Sequence, residues 1–460
     1  MSKTKNTGDS FRALPVPQAV LRNVLPAMGA MLMVLIYNLA DTFFIGQTHD
    51  AYQVAAVSLA TPVFLIFMSV GTIFGVGGTS AISRAIGAGR EEHAKKLCSF
   101  CMWMCVVSGI ILTGAALIFM EDILTLIGAS GDTWEYARRY LSIVAFGGTF
   151  QMISTCFSNI LRAEGQAGRA MMGQVIGNLL NIVLDPLLIF ELGWEISGAA
   201  AATVIGSGAA AIYYILYFLR GKSALSIQIR DFTAKEGICR SVLTIGIPGA
   251  LAPVLMSVSQ IIMNSMMAGY GDMAVAGIGV AMKVTMITGM LSMGIGQGVQ
   301  PLLGYCIGAR LWERYSKILR FSLGFALLLG AAMTGLCWLF TEQIVSAFLT
   351  DAEAFSYAVS FAQILLSTGV LFGVFYVLSN ALQAMGAALP SLVINLSRQG
   401  LVYIPSLFLL RAALGAEGLV WAQPAADILS TLLAAVLYLT AVRAGQKSNA
   451  AKAGQRAFAE

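Results

Sequence analysis

Long apolar runs alternate with short polar and charged stretches along the whole chain. Each run has at least 20 residues, the length that an α-helix needs to cross the hydrocarbon core of a bilayer. A helix satisfies its backbone hydrogen bonds within the segment, whereas a barrel strand would alternate polar and apolar positions over about ten residues. The pattern therefore predicts membrane-spanning helices. We place them near residues 20–45, 54–80, 97–120, 136–160, 171–193, 198–219, 240–267, 274–303, 317–340, 357–383, 391–410 and 418–442.

The composition agrees with a membrane location. The 460 residues are 58% hydrophobic and 11% charged, with a mean hydropathy of +0.79, whereas soluble domains have about 25% charged residues. Twelve helices leave only short loops and tails. The sequence thus predicts an all-α polytopic membrane protein, and soluble catalysis, nucleic-acid binding and intrinsic disorder are excluded as leading interpretations.

Basic residues are distributed unevenly between the two sides of the membrane. With both termini in the cytoplasm, 23 of the 28 basic residues lie on cytoplasmic segments, Arg138, Arg139 and Arg411 lie outside, and Lys283 and Arg398 lie within spans. Because Lys and Arg accumulate on cytoplasmic loops, this bias predicts cytoplasmic termini. The first apolar run is too long for a cleavable signal peptide. We expect the seven cysteines to pack in helices rather than to form disulfides or a metal site.

The second half of the chain repeats the first at an offset of 221 residues. Six helices per copy is an even number, so both copies enter the membrane from the same side, as two six-helix bundles related by a pseudo-two-fold axis along the membrane normal. Such a repeat favours alternating access around a central cleft over a simple pore. We expect a cytoplasmic tail at 1–22, bundles at 23–220 and 241–442, a cytoplasmic linker at 221–240 and a second tail at 443–460.

Carboxylates within the spans are the leading candidates for function. A carboxylate at the centre of a span costs about 2.5–3.5 kcal/mol on insertion scales, and Asp41, Asp185 and Asp427 all fall within predicted helices. In helix 1, Tyr37, Asn38 and Asp41 share one face. The alternative interpretation is that Asp41, near the outer end of its helix, simply reaches interfacial water.

Helix 5 contains a second polar stripe. Asn178, Asn181 and Asp185 lie at positions i, i+3 and i+7, and Pro186 cannot donate its backbone hydrogen bond, which frees the carbonyl of Ile182. Such oxygens suit a small hard cation, and a desolvated carboxylate equally suits a proton. The alternative is a hydrogen-bonded helix contact beside a structural proline kink.

The two halves differ in their charged residues. Asp41 aligns with Ile262 and Asp185 with Ser406, whereas the second half has Lys283, Arg398 and Asp427. We expect the buried bases and the acid of that half to pair. Neutral residues at helical spacings add further polar lining in the second half: Gln260 and Asn264, Gln297 and Gln300, Asn380 and Gln383.

Taken together, these motifs resemble the multidrug and toxic compound extrusion (MATE) transporters over essentially the whole chain. The resemblance rests on the two six-helix repeats and on four segments: Asn38-Leu39-Ala40-Asp41-Thr42-Phe43-Phe44-Ile45-Gly46, Ile86-Gly87-Ala88-Gly89-Arg90, Leu161-Arg162-Ala163-Glu164-Gly165 and Asp185-Pro186. The match looks closest to the bacterial and archaeal branch that has its cation-coupling carboxylates in the N-terminal half.

For that branch the resemblance implies a cation-coupling site formed by helices 1, 5 and 6. Another branch uses acids in helices 7 and 10, where this chain has neutral residues, so we expect no second site of that type and assign no role to Asp427. The implied coupling residues are Asp41, Asn181, Asp185 and Thr203, with Tyr37, Asn38, Tyr140 and Asn178 in the surrounding cavity or network and Pro26 and Pro186 as points of helix bending.

The resulting hypothesis is a secondary antiporter and not an enzyme. It would export organic cations or amphiphilic compounds in exchange for H⁺ or Na⁺, without a cofactor, as a monomer in the cytoplasmic (inner) membrane of a prokaryote. No nucleic-acid partner is expected, and membrane lipid surrounds the protein. The alternative is a flippase of the same fold for lipid-linked saccharides or other amphiphilic lipids, which would need several cations in its cleft, where only Lys283 and Arg398 are available.

Overall fold

The computed structural model describes residues 11–48, 50–129, 131–221, 223–349 and 351–457, and the regular elements among them are helices. We number the long helices in chain order. They are α1 (Val16–Gly46), α2 (Ala51–Gly87), α3 (Glu91–Ile118), α4 (Gly131–Ala163), α5 (Ala167–Pro186), α6 (Glu195–Leu219), α7 (Ile238–Ala268), α8 (Asp272–Gly308), α9 (Trp312–Leu339) and α10 (Ala352–Leu366 with Gly369–Met385).

The last two helices run almost without interruption. A continuous segment, Tyr403–Ala457, contains one non-helical residue, Gly415. We call the part before Gly415, together with Ala388–Leu396 and the π-helical turn Ser397–Leu401, α11, and the part after it α12. Two short helices, Met120–Leu126 and Thr341–Ser346, follow α3 and α9.

The helices are long and apolar enough to cross a bilayer. Within the described ranges, ten helices meet the length and hydropathy of a span when α11 and α12 count as one, and the bent α10 raises the number to eleven. Large apolar side chains on their outer faces are exposed, such as Leu328 at 72% and Leu409 at 71%. These faces suit contact with lipid, so the predicted all-α polytopic membrane fold is confirmed.

The structure differs from the sequence prediction mainly at helix ends and in α10. The predicted helix 357–383 is broken after Leu366, and its two segments meet at 45°. The first helix begins at Val16 and the last continues to Ala457, so helix extends into both segments predicted as tails. Of the two histidines, His93 lies in the first turn of α3, and His49 lies outside the described residues.

Each half packs mainly around its own core. In the first, α2 packs on α4, α4 on α6, and α1 and α6 on α5; in the second, α8 packs on both segments of α10. The halves meet where α1 contacts α8 and where α2 contacts α7 and α8.

Glycines bring the two halves into close contact at one end of the molecule. Gly87 of α2 packs on the backbone of Tyr305 in α8, and Gly308 of α8 packs on the backbone of Arg84 in α2, so a side chain at either glycine would overlap the partner helix. The hydroxyl of Ser80 also donates to a backbone carbonyl of α10. The halves therefore meet in close backbone contact at the end that carries loops 88–90 and 309–311, which we call the closed end.

Candidate functional site

Two glycines allow α5 and α6 to cross closely. A Cβ at Gly177 would lie 2.8 Å from the carbonyl oxygen of Gly206, and a Cβ at Gly206 would lie 3.2 Å from the Cβ of Asn181. The absence of side chains at these two positions brings Asn181 against α6, where its Nδ2 donates to Oγ1 of Thr203 at 3.3 Å. The predicted pair of polar residues from helices 5 and 6 is thus in contact.

Asp185 lies one helical turn beyond Asn181 and is fully buried. Neither of its carboxylate oxygens has a hydrogen-bond donor within the described part of the chain, and the same is true of Oδ1 of Asn181. Buried oxygen acceptors without donors are rare in folded proteins. A bound cation, or a proton on the carboxylate, is the kind of partner that would satisfy them.

Residues of α1 and α4 approach the same carboxylate. Tyr37 shares a hydrogen bond with Thr203 and interacts electrostatically with Asp41 and Asp185. Tyr140 of α4 is 8% exposed and interacts with the same two acids. Asp41 itself is partly exposed. The structure therefore gathers the two acids with residues from α1, α4, α5 and α6, with Asp185 buried and Asp41 at the accessible side.

The remaining residues predicted for this half lie beside the site. Asn38 and Asn178 are partly buried, and Nδ2 of Asn178 has no acceptor among the described residues. Pro26 lies inside α1, which runs as one helix from Val16 to Gly46. Pro186 is the last α-helical residue of α5 and precedes the π-helical turn Leu187–Glu191, a local irregularity of a kind that often marks functional sites.

The acid of the C-terminal half, in contrast, has a positively charged partner. Nε of Arg398, in the π-helical turn of α11, lies 2.7 Å from Oδ1 of Asp427 in α12, and both side chains are buried. Gln423 donates to the same oxygen at 3.0 Å and Thr368 donates to Oδ2 at 3.2 Å. Both oxygens of Asp427 are therefore hydrogen-bonded.

Aromatic rings surround the guanidinium group of Arg398. Its central carbon lies 4.8 Å from the ring centre of Phe372, 5.1 Å from that of Phe375 and 5.4 Å from that of Tyr376. The hydroxyl of Tyr376 also accepts a hydrogen bond from Nη1 at 3.2 Å. Cation–π contacts and a charge-assisted hydrogen bond stabilise an Arg that is removed from water.

The expected pairing of bases and acid in this half holds for Arg398 and is wrong for Lys283. Lys283 is partly exposed, and its Nζ lies 5.2 Å from the ring centre of Phe348 rather than near Asp427. The reason is geometric: Lys283 is on α8, whereas Asp427 is held by α10, α11 and α12.

The neutral residues predicted to line the second half divide into two groups. Gln260 and Asn264 contact each other at 3.4 Å near the surface. Gln300 and Gln383 are buried and contact each other at 3.4 Å between α8 and α10. The second pair therefore belongs to helix packing rather than to a cavity lining.

Sequence reasoning missed Gln151 of α4. Its Oε1 accepts a hydrogen bond from the hydroxyl of Ser207 at 2.6 Å, one turn along α6 from Thr203. Gln151 lies eleven residues after Tyr140, three helical turns along the same face, and that spacing is the signal that could have identified it.

The fold and the two charged sites agree with a known family of membrane transport proteins. The MatE family model matches residues 26–187 and 248–409, once in each half. The chain therefore belongs to the MATE family of transporters, whose members are transport proteins and not enzymes, and the resemblance noted in the sequence is confirmed at the level of the family.

Individual relatives cover nearly the whole chain. The multidrug export protein MepA of Staphylococcus aureus (strain MRSA252) is 29% identical over 427 residues, which are 93% of this chain and 94% of the relative. A solved structure of an outward-facing multidrug resistance MATE family transporter is 25% identical, with a TM-score of 0.92, and covers 97% of this chain and 100% of that one. A Pyrococcus furiosus transporter of the MOP superfamily, for which a reversed binding-pocket polarity suggests a different function, is 26% identical with a TM-score of 0.88 and covers 96% and 98%.

Proposed function

We propose that this protein is a secondary active multidrug efflux antiporter that exports organic cations or amphiphilic compounds in exchange for H⁺ or Na⁺. Membership of the MATE family and similarity to a multidrug export protein over 93% of the chain support efflux of small organic substrates. The chain's own charged residues support coupling to a cation in the N-terminal half, as in the branch that the sequence resembles.

The main support for this proposal is that the buried carboxylates Asp427 and Asp185 have different surroundings. Arg398 neutralises Asp427, whereas Asp185 is buried without a donor to either oxygen in the described part of the chain. A negative charge in a membrane interior is costly unless a cation compensates it. In the proposed mechanism, H⁺ or Na⁺ binds at Asp41 and Asp185, with oxygens of Asn181 and Thr203 as further ligands for Na⁺.

Cation binding would alter how α1 packs on α5 and α6. Tyr37 of α1 contacts Thr203 of α6 and interacts with both acids, so neutralising the acids changes the forces on α1 directly. Pro26 lies nearer the start of the same helix. It lacks a backbone donor and is the position where α1 bends most easily. By linkage, cation and substrate each lower the affinity for the other by the same factor.

The proposed topology has twelve spans in two six-helix bundles related by a pseudo-two-fold axis, with both termini in the cytoplasm. The family model matches once in each half, which supports the repeat. In this orientation the closed end is cytoplasmic, in keeping with the similarity to an outward-facing relative. We place the protein, as a monomer, in the cytoplasmic membrane of a prokaryote.

Transport in proteoliposomes tests the coupling. Purified protein is reconstituted with a fluorescent organic cation, and H⁺ and Na⁺ gradients are imposed separately. We expect one gradient to drive substrate movement, and Asp41→Asn and Asp185→Asn each to reduce it at least tenfold. Asp122→Asn, at an exposed acid outside the site, is the matched control. Wild-type rates in both site variants, with insertion verified, would refute the proposed site.

The same experiment separates antiport from the flippase alternative. A flippase for anionic lipid-linked saccharides would move its substrate without compensating H⁺ or Na⁺ flux. The structure disfavours this alternative, because Arg398 is bound to Asp427 and, of the two bases predicted within spans of the second half, only Lys283 is partly exposed. Lipid-saccharide movement without cation flux would overturn the antiport proposal.

A further inference from the structure

A small basic cavity lies at the closed end of the N-terminal half, between the start of α5 and the end of α6. Its volume is about 70 Å³, and it is lined by Arg169, Tyr213, Leu216, Tyr217 and Arg220. Arg169 is in the first turn of α5, and Arg220 directly follows the last residue of α6. Both helices are candidate spans, so the cavity lies where the headgroups of a bilayer meet its hydrocarbon.

The guanidinium groups of this cavity are accessible to an anion. Arg169 and Arg220 are exposed, and neither forms an ion pair with an acid of the described ranges. The central carbon of the Arg169 guanidinium lies 5.7 Å from the ring centre of Tyr217, which holds the group against the cavity wall. The buried acid Glu164 also interacts electrostatically with Tyr217. One of its carboxylate oxygens, however, accepts hydrogen bonds from Ser223 and Ala224 of the linker.

Exposed apolar residues lead from both arginines towards the middle of the membrane. On α6, Ile212, Leu216 and Arg220 are spaced by four residues and share one stripe; Ile212 is 56% and Leu216 42% exposed. On α5, Met172 follows Arg169 by one turn and is 46% exposed. On each helix, an arginine at the level of the headgroups is thus followed by an exposed apolar surface.

We propose that this cavity binds the phosphodiester headgroup of an anionic phospholipid. Arg169 and Arg220 donate to the phosphate oxygens, and Leu216 and Ile212 contact an acyl chain. Guanidinium groups match phosphate oxygens in geometry and charge, and basic pockets between membrane helices bind anionic headgroups in this way. A free phosphate ion would use the arginines but leave the apolar stripes without a partner, so the lipid is the better match.

The experiment uses the full-length protein in detergent and native mass spectrometry. Phosphatidylglycerol, phosphatidylcholine with the same acyl chains, and inorganic phosphate are titrated separately. We expect phosphatidylglycerol to bind preferentially and its affinity to fall about 30-fold in the R169Q/R220Q variant. The matched control is R240Q/R320Q, which removes two exposed arginines outside the cavity, near the starts of α7 and α9. Thermal unfolding in phosphatidylcholine verifies that each variant is folded.

Three results would overturn the proposal. The first is equal binding of phosphatidylglycerol and phosphatidylcholine to the wild-type protein. The second is an equal loss of affinity in R169Q/R220Q and in the control. The third is binding of inorganic phosphate as tight as that of phosphatidylglycerol, which would make the cavity a phosphate site. None of these measurements depends on the proposed cation coupling.

Discussion

At the scale of single residues, two buried carboxylates of one protein have opposite surroundings. Asp427 accepts hydrogen bonds from Arg398, Gln423 and Thr368. Asp185, equally buried, has no donor within the described residues. Arg398 compensates the charge of the first carboxylate, whereas no described residue donates a hydrogen bond to the second. This difference is why we assign coupling to the N-terminal half.

Removing Arg398 alone should destabilise the protein strongly. Arg398→Met leaves Asp427 buried without its counter-charge, for which we expect a loss of about 3–5 kcal/mol in unfolding free energy. The double variant R398M/D427N should recover much of the loss, because no uncompensated charge remains. Thermal unfolding in detergent measures both.

Transport by the double variant distinguishes a structural role from a coupling role. We expect R398M/D427N protein that folds to retain gradient-driven transport, since the proposed coupling acids are untouched. If Arg398→Met protein were as stable as the wild type, the ion pair would not be what holds α11 and α12 together. Loss of gradient coupling in a stable double variant would place part of the coupling site in the C-terminal half.

At the scale of helices, the proposed coupling site depends on how closely α5 and α6 approach. The contact between Asn181 and Thr203 exists because Gly177 and Gly206 have no side chains at the crossing. Glycines at helix crossings allow backbones to approach in membrane proteins generally.

A larger residue at Gly206 should separate the two helices. We expect Gly206→Val to lower stability by about 1–3 kcal/mol, as overpacking does, and to impair coupled transport because Asn181 moves away from Thr203. Gly208→Val is the matched control on the same helix, since a Cβ there meets nothing within 4 Å. Thermal unfolding and proteoliposome transport provide the two measurements. Equal effects of the two substitutions would contradict the proposed crossing.

A second element, the loop between α4 and α5, holds a buried acid against the linker. Oε1 of Glu164 accepts hydrogen bonds from the hydroxyl of Ser223 at 2.8 Å and from the amide of Ala224 at 2.6 Å. Burial raises the pKa of Glu164 from 4.5 to about 7, and the two hydrogen bonds limit the rise. This loop therefore titrates near neutral pH.

The sign of the pH effect follows from linkage. Between pH 4.5 and 7 the folded protein keeps a proton on Glu164 that the unfolded chain has lost. The contribution of Glu164 to the free energy of unfolding is therefore fully present below pH 4.5 and is lost as the pH rises through 7. We expect the wild type to lose about 3 kcal/mol of unfolding free energy over this range from Glu164 alone. Glu164→Gln should remove this part of the pH dependence.

The measurement is thermal unfolding at pH 5 and pH 8. The difference between the two midpoints should be smaller for E164Q than for the wild type and for Glu121→Gln, which changes an exposed acid elsewhere. The same pH slope in all three proteins would show that Glu164 does not remain protonated when folded.

At the scale of the whole molecule, the structure is one state of a protein with two halves. At the closed end the halves meet through backbone contacts of α2 with α8, where Gly87 and Gly308 occupy corresponding places on the two helices. Alternating access requires these contacts to separate. Gly87 and Gly308 approach the partner helix without a side chain of their own, which suits a contact that forms and breaks.

A side chain at this contact should hold the closed end open. We expect Gly308→Val to reduce transport and to expose a cysteine at position 80 (Ser80→Cys) to a membrane-impermeant maleimide. Gly289→Val, on the same helix where a Cβ meets nothing within 4 Å, is the control. The G308V variant that retains Ser80 is labelled in parallel, and its signal is the background from the native cysteines. Unchanged labelling of position 80 would show that the contact does not close this end.

Much of the fold and part of the site could be predicted from the sequence. The stripe of Asn178, Asn181 and Asp185 follows from helical spacing alone, and its proximity to Asp41 came from the family resemblance. Lys283 and Arg398 looked equivalent, because spacing along a helix does not tell which of two bases faces an acid on another helix. The break in α10 was missed for a related reason, since neither Ser367 nor Thr368 is a residue that ends helices on its own.

The sequence by itself determined that this chain is helical, lies in a membrane and consists of two related halves. Those properties depend on apolar run length and on backbone hydrogen bonds within each segment, which are local. The tertiary structure decided which carboxylate is neutralised and where the halves meet. Those properties depend on distances between helices that are far apart in the chain, such as the 2.7 Å between Arg398 and Asp427.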